Sequence, residues 1–172
     1  LVRAVGPLQT SPMAHPVLTI DLPDEAATAT LGDRLGAAAR AGDVIALRGD
    51  LGAGKSTLAR GLIRSQLGPE TDAPSPTFTL VQTYPGPKFA IWHFDLYRLD
   101  HPDEARELGL EEAVDGLCLI EWPERLGRHL PSRRLEVQLS MDGDGRIARL
   151  IDFDDWSTRL HGDWRPTPES DS

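Results

Sequence analysis

The sequence predicts an α/β fold: three layers around a mixed, mostly parallel sheet that carries antiparallel hairpins. Three observations lead there. Asp43-Val44-Ile45-Ala46-Leu47-Arg48 holds four apolar residues in a row, as a strand buried on both faces does. Gly49-Asp50-Leu51-Gly52-Ala53-Gly54-Lys55-Ser56 follows at once and fits G-x-x-x-x-G-K-[ST], the phosphate-binding loop. From Lys55 to Leu67 the apolar residues Leu58, Leu62 and Ile63 then recur at helical spacing. Strand, glycine loop and helix in that order are the context the motif needs, so the expected fold is P-loop NTPase-like.

The other elements follow in order. Residues 1–16 have three prolines and no periodicity and read as a disordered lead. Residues 17–22 alternate as a short strand. A helix opens at Pro23-Asp24-Glu25, with acids at its start, and runs to Ala41; Leu31, Leu35 and Ala38 are its buried face and Gly42 ends it. After the phosphate-loop helix, Gly68-Pro69 is a stop, and residues 70–76 are a loop stiffened by Pro74 and Pro76. Residues 77–84 and 89–97 have strand composition around the turn Pro85-Gly86-Pro87-Lys88, a predicted hairpin. Residues 102–115 hold one or two short helices with Gly109 as the break. Leu117-Cys118-Leu119-Ile120 is a buried strand ending in Glu121, and residues 123–129 are a helical turn stopped by Pro131. A second hairpin, residues 135–140 and 147–153, folds about Asp142-Gly143-Asp144-Gly145. A single domain over residues 17–155 and a polar tail over 156–172 complete the chain, with Trp156 and Trp164 as candidate docking groups in that tail.

Composition excludes several functions. No apolar run approaches the roughly 20 residues of a membrane span. Residues 1–16 lack the charged start and apolar core of a secretory leader. Cys118 is the only cysteine, so no intrachain disulfide forms. These readings point to the cytoplasm and away from the membrane. The formal net charge of −9 disfavours direct binding of tRNA or DNA, which needs a basic face. No asparagine occurs, so the Asn-Lys-x-Asp reader of guanine is impossible and the base choice tilts to adenine.

The motif has its own chemistry. Gly49, Gly52 and Gly54 allow the positive φ that curls backbone N–H groups around an anion, and the helix dipole adds positive potential. Lys55 brings a mobile ammonium to the β- and γ-phosphates, and Ser56 a hydroxyl for Mg²⁺. The chain has only two lysines, Lys55 and Lys88, and one stands where a slim ammonium is needed. The metal also needs a carboxylate, and strand ends beside the loop are where such acids sit. Asp95 and Glu121 each end an apolar strand and are the two candidates. Each is equally a strand-end acid facing solvent or pairing with an arginine. His93 reads mainly as a packed or surface residue rather than a base. Trp92 and Trp122 read as core or as walls of the site.

Four motifs in this order resemble the TsaE (YjeE) family: Gly49 to Thr57, Ser75-Pro76-Thr77-Phe78-Thr79-Leu80-Val81, His93-Phe94-Asp95-Leu96-Tyr97-Arg98-Leu99, and Ile120-Glu121-Trp122-Pro123-Glu124. The likeness spans about residues 22–153. That family is the small bacterial ATPase of the machinery that puts threonylcarbamoyl on adenosine 37 of tRNAs reading ANN codons. The resemblance implies that Leu51, Gly52, Ala53, Gly54, Lys55, Ser56 and Thr57 wrap the phosphates of ATP. It implies Ser56 and Glu121 as Mg²⁺ ligands, with Asp95 contacting the metal or orienting the attacking water. Ser75-Pro76-Thr77 corresponds to a mobile switch beside the γ-phosphate, Trp122 and Glu124 line the nucleotide pocket, and Arg149 contacts the nucleotide. Ser56 stands where the family more often has threonine, and both are allowed ligands. The implied partners are a TsaD-type threonylcarbamoyl transferase and a TsaB-type pseudo-enzyme subunit, which reach tRNA on behalf of the complex. Two other readings compete: a small-molecule kinase with an arginine-bearing lid at residues 124–130, and a nucleotide sensor without meaningful hydrolysis.

Overall fold

The computed structural model describes residues 3–5 and 17–160. Strands β1 (Arg3–Val5) and β2 (Val17–Leu22) come first. Helix α1 (Glu25–Ala38) starts where the Asp24 carboxylate accepts the Ala27 N–H at 2.8 Å, a side-chain cap on an orphan donor. It stops three residues before the expected end. Ala39 is extended, and the Asp43 carboxylate takes the Arg40 N–H at 2.6 Å. Then come β3 (Val44–Arg48), the glycine loop and α2 (Lys55–Leu67), all as read from the sequence. The hairpin β4 (Val81–Pro85) and β5 (Ala90–Asp95) follows. A 3-10 segment (Pro102–Arg106), α3 (Leu110–Ala113), β6 (Leu117–Glu121) and a second 3-10 segment (Pro123–His129) lead to the hairpin of β7 (Leu135–Asp142) and β8 (Gly145–Asp152).

All eight strands form one sheet in the order β1-β2-β8-β7-β3-β6-β5-β4. The pairs β7–β3, β3–β6 and β6–β5 are parallel. The four outer pairs are antiparallel. The sheet is therefore mixed, and its parallel part is confined to the centre. Hairpins account for the difference, since each adds an antiparallel strand at a flank. Three layers result. Helices α1 and α2 cover one face over Ile45, Leu47, Leu119 and Val137, and Leu35, Leu58 and Leu62 fill the space between. The short helices cover the central strands on the other face, packing Leu99, Ala105, Leu110 and Leu126 on Val44, Phe94, Cys118 and Ile120. Burial pushes the Cys118 thiol up to about 12.

Three expectations change. The strand predicted to begin at Thr77 begins at Val81, because residues 77–80 form a turn closed by the Leu80 N–H to the Pro76 carbonyl at 2.8 Å. Within the segment read as a structureless lead, Arg3–Val5 pairs with β2 as an edge strand. Trp156, placed by the sequence in a loose tail as a group to dock on this domain or on a partner, is packed on this domain with none of its surface exposed. Its ring lies 4.2 Å from the Arg159 guanidinium, which grips Asp43 at 2.7 and 2.9 Å and the Ala38 carbonyl at 3.0 Å. The ordered fold thus continues past residue 155. Trp164 lies outside the described residues.

The two long helices touch backbone to backbone. A Cβ at Gly32 would sit 2.1 Å from the Leu58 carbonyl oxygen, and one at Gly61 would sit 2.4 Å from that of Ala29. Neither neighbour is a side chain that can turn aside, so the helices themselves would have to separate. Gly32→Ala is expected to lower the unfolding free energy by about 1–3 kcal/mol, the usual penalty for overpacking. Urea unfolding of the variant against the parent checks it, and an unchanged midpoint would disprove the close approach.

Candidate functional site

Strand alternation builds the site. On β5 and β6 the residues Ile91, Leu117 and Leu119 face α2 in the core. Side chains two apart share a face, so His93, Asp95 and Glu121 face the same way, at the carboxyl ends of their strands. Parallel register sets Asp95 beside Glu121, and Leu47 at the end of β3 beside Glu121 as well. The glycine loop leaves β3 there and turns into α2. Its first helical turn therefore delivers Lys55 and Ser56 to the two acids. The crevice beyond the strand ends is where open α/β sheets bind ligands.

The groups are close and deeply placed: Lys55 is 5% exposed, Asp95 7%, Glu121 2% and His93 1%. The Ser56 hydroxyl donates to Oε1 of Glu121 at 2.9 Å. The Ser75 hydroxyl donates to Asp95 at 2.6 Å and reaches Oε2 of Glu121 at 3.3 Å. His93 Nε2 lies 2.6 Å from the same Oε2. Lys55 Nζ donates to the carbonyls of Gly49 and Asp50 and sits 4.3 Å from the centre of the Trp122 ring. Burial lowers the Lys55 ammonium below its ordinary pKa, against the opposing pull of Glu121, Glu124, Asp95 and Asp50.

Trp122 holds that position in a left-handed conformation, φ 59°, rare for a bulky residue. Such a backbone stores on the order of 1–3 kcal/mol and persists only when its surroundings over-determine it. Here the ring packs between Lys55 and Tyr97, whose ring centre is 4.9 Å away. Behind the loop, Arg48 joins Glu136 at 3.0 Å and Glu124 at 3.4 Å, while Arg134 also binds Glu136, at 2.9 Å. The end of β3 is thereby tied to β7 and to the segment after Trp122.

A cleft of about 370 Å³ opens here, lined by Leu51, Gly52, Gly54, Lys55, Ser56, Thr57, Ser75, Thr77, Asp95, Tyr97, Arg98, Glu121 and Trp122. A larger groove of about 750 Å³ runs along α1 and α2 past Asp33, Arg60 and Arg64, but it holds neither of the acids. Chemistry and not size marks the site. Ala53 is buried under the loop, its N–H closing a turn on the Asp50 carbonyl at 3.1 Å. Glu124 stands at the rim, paired with Arg48. Arg149 is set apart: Ala148 and Leu150 face the helices, so the residue between them faces the opposite side of the sheet. Arg146, three residues earlier and not singled out by the sequence, reaches the loop itself, its guanidinium donating to the Gly52 carbonyl at 3.0 Å. Nothing in its local pattern separates it from other hairpin arginines; only the β7–β8 turn brings it to the loop.

The oxygen donors fit Mg²⁺, a hard ion that takes one or two carboxylates and otherwise keeps water and phosphate oxygens. No cluster of three His, Cys, Asp or Glu side chains able to hold a metal occurs among the described residues. No helix among them is long and apolar enough to cross a membrane.

Comparison with known proteins gives a consistent result. A sequence model of the family "Threonylcarbamoyl adenosine biosynthesis protein TsaE" matches residues 22–150. The TsaE protein of Rickettsia bellii is 43% identical over 131 residues, covering 75% of this chain and 91% of that one. The TsaE protein of a Nostoc species is 41% identical over 141 residues, covering 78% and 85%. The crystal structure of YdiB from Bacillus subtilis superposes with a TM-score of 0.70 at 29% identity, covering 85% of this chain and 91% of that one.

Glu136 gives the site a measurable acid sensitivity. Burial pushes its carboxyl up, but the bonds and charges of Arg48 and Arg134 outweigh this and hold it below its ordinary value of 4.5. The unfolded chain then takes up the proton first as pH falls. The stabilisation is present above about pH 4.5 and is lost as pH drops through the lowered folded value. Glu136→Gln is expected to be less stable at pH 7 and to lose less stability on acidification. Chemical unfolding across pH 3 to 7 measures both slopes, and parallel curves would rule out the assignment.

Proposed function

The chain belongs to the TsaE family, and from that premise we propose that it binds ATP with Mg²⁺, hydrolyses it slowly, and serves as the ATPase subunit of the complex forming N6-threonylcarbamoyladenosine at position 37 of tRNAs reading ANN codons. The observation that carries this reading is the convergence of Ser56, Glu121 and Asp95 beside the loop: Ser56 donates to Glu121 at 2.9 Å, and the Ser75 hydroxyl spans Asp95 at 2.6 Å and Glu121 at 3.3 Å. In this reading the N–H groups of the loop and the start of α2 cradle the phosphates, and Lys55 leaves its loop carbonyls for the β- and γ-phosphates. Ser56 and Glu121 would hold Mg²⁺, which would supply positive charge beside the phosphate oxygens. Asp95 orients the attacking water. Trp122 and Tyr97 wall the site.

The net charge of −9 is in keeping with a subunit that meets tRNA only through partners, here a TsaD-type transferase and a TsaB-type subunit in the cytoplasm. The segment that a kinase reading would use as a lid is pinned down. Leu126 is fully buried, and His129 and Arg128 both bind Asp103, at 2.6 and 3.4 Å. That favours an ATPase over a small-molecule kinase.

Two substitutions test the chemistry. Lys55→Ala should weaken ATP binding at least tenfold, about 1.4 kcal/mol, with the circular dichroism unchanged. Glu121→Gln should bind ATP yet lose most Mg²⁺-dependent phosphate release, and Asp95→Asn should lose release as well. Calorimetry and a phosphate assay decide, and wild-type turnover in either acid variant would remove that acid from the site.

The segment Ser75-Pro76-Thr77-Phe78 is the proposed switch. Ser75 already touches both acids, Leu80 closes the turn at φ 66°, and Phe78 is 82% exposed with the Arg98 guanidinium 4.7 Å from its ring. A hydroxyl that engages the acids in one state and a γ-phosphate in another would order the loop differently in each. Partner affinity should then differ between ATP and ADP states, and Thr77→Ala should shrink the difference. Hydrogen exchange over residues 72–79 with ADP and with a non-hydrolysable ATP analogue reads the motion. Equal protection and equal partner affinity would leave the segment a fixed turn.

A further inference from the structure

His93 is an ionisable ring in a layer otherwise filled by Ile91, Leu119 and α2, and it is almost wholly buried. Its Nε2 meets Oε2 of Glu121 at 2.6 Å, while its Nδ1 is buried with no partner among the described residues. An unpaired buried N–H is the rarer and more costly defect, so the free nitrogen carries the lone pair and Nε2 carries the proton. Nε2–H therefore donates and the carboxylate accepts. A ring kept only to fill space could be an aliphatic or aromatic side chain with no orphaned nitrogen. The orphan is tolerated because the other nitrogen has a task.

That task follows from the carboxylate. The last torsion of a glutamate is broad and roughly two-fold, so an unanchored carboxylate does not hold one orientation. Glu121 is fixed at Oε2 by His93, and this leaves Oε1 turned to the Ser56 hydroxyl at 2.9 Å. Ser75 also reaches Oε2, at 3.3 Å, but it lies on the proposed switch. His93 lies inside β5, hydrogen-bonded to strands on both sides, and cannot move with it.

We propose that His93 is a positioning residue: its Nε2–H locks Glu121 in the orientation that presents Oε1, beside the Ser56 hydroxyl, to the Mg²⁺ of a bound nucleotide. The proposal rests on the reading of Glu121 as the metal-facing acid given above. Outer partners of this kind commonly carry 10- to 100-fold in metal affinity.

The test compares H93Q, whose amide can still donate near the Nε2 position, with H93L, which fills the space without a donor. Mn²⁺ serves as the probe, its binding to the ADP complex followed by the spin resonance of the free ion. ADP affinity in EDTA and thermal unfolding are measured alongside. H93L is expected to weaken Mn²⁺ binding by roughly 10- to 100-fold while keeping the metal-free ADP affinity, and H93Q to recover most of the loss. If H93L does not fold, H93N takes its place, since its shorter amide ends near Nδ1 and cannot reach Glu121. Wild-type Mn²⁺ affinity in the donor-less variant, or an H93Q no better than it, would overturn the proposal. A parent protein that binds ADP but shows no nucleotide-dependent Mn²⁺ site would instead overturn the reading of Glu121 itself.

Discussion

Everything at the carboxyl edge of this sheet answers to one constraint, which is that charged groups taken out of water need partners. The effective penalty for burying an ion is several kcal/mol, and Lys55, Asp95 and Glu121 are all buried. Each is met by groups that only the folded chain brings together. Glu121 accepts from Ser56 on a helix, His93 on a neighbouring strand and Ser75 on a loop. Lys55 finds two carbonyls and an aromatic face. Strand register supplies the acids, and α2 supplies Ser56 and Lys55 only because it begins where β3 ends. Since α2 is seated by α1 through glycine contacts of backbone on backbone, the packing of the helix layer and the geometry of the acids are one problem.

The supporting shell is as specific as the site. Arg48 is the last residue of β3, and its guanidinium bridges Glu136 on β7 and Glu124 beyond Trp122. The strand that feeds the glycine loop is thereby tied to two elements distant in sequence. At the other end of β3, Arg159 ties Asp43 to the last described turn of the chain. The strand on which the loop depends is thus pinned at both ends by arginine, whose planar fork suits paired contacts with carboxylates.

Much of this was legible in the sequence. The apolar run, the glycine spacing and the helix after it placed Lys55 and Ser56, and two acids ending apolar strands placed Asp95 and Glu121. Where the sequence fell short, the missing information was long-range. Trp156 looked like a tail residue because its polar neighbours in sequence give no sign that its ring joins the core shared by α1, α2 and the sheet. Arg3–Val5 had no periodicity to show, since an edge strand of three residues needs only backbone pairing. The turn at residues 77–80 has strand composition but is overruled by Pro76 and by Leu80 in a positive-φ turn. His93 was read as a packed or surface residue, and it is packed. That its ring points at Glu121 depends on strands β5 and β6 lying side by side, and local pattern says nothing of that. Arg149 came from the family resemblance alone, and Arg146, which no local pattern marks, is brought to the glycine loop by the register of β8 with β7.

The left-handed backbone at Trp122 has a consequence for how this chain can change over generations. Glycine would relieve the strain there, and the tryptophan and glycine codons TGG and GGG differ by a single nucleotide. That step would release the strain, yet it would strip the ring from Lys55, from Tyr97 and from the apolar layer beneath it, and losing a packed aromatic ring costs about 3–5 kcal/mol, more than the strain returns. Aliphatic and polar residues would keep the strain without restoring the aromatic wall. Position 122 is therefore held from two sides, because the ring that walls the cleft is also the packing that keeps its own backbone in place. A lineage that took the one-nucleotide step to glycine would lose the wall and the packing together.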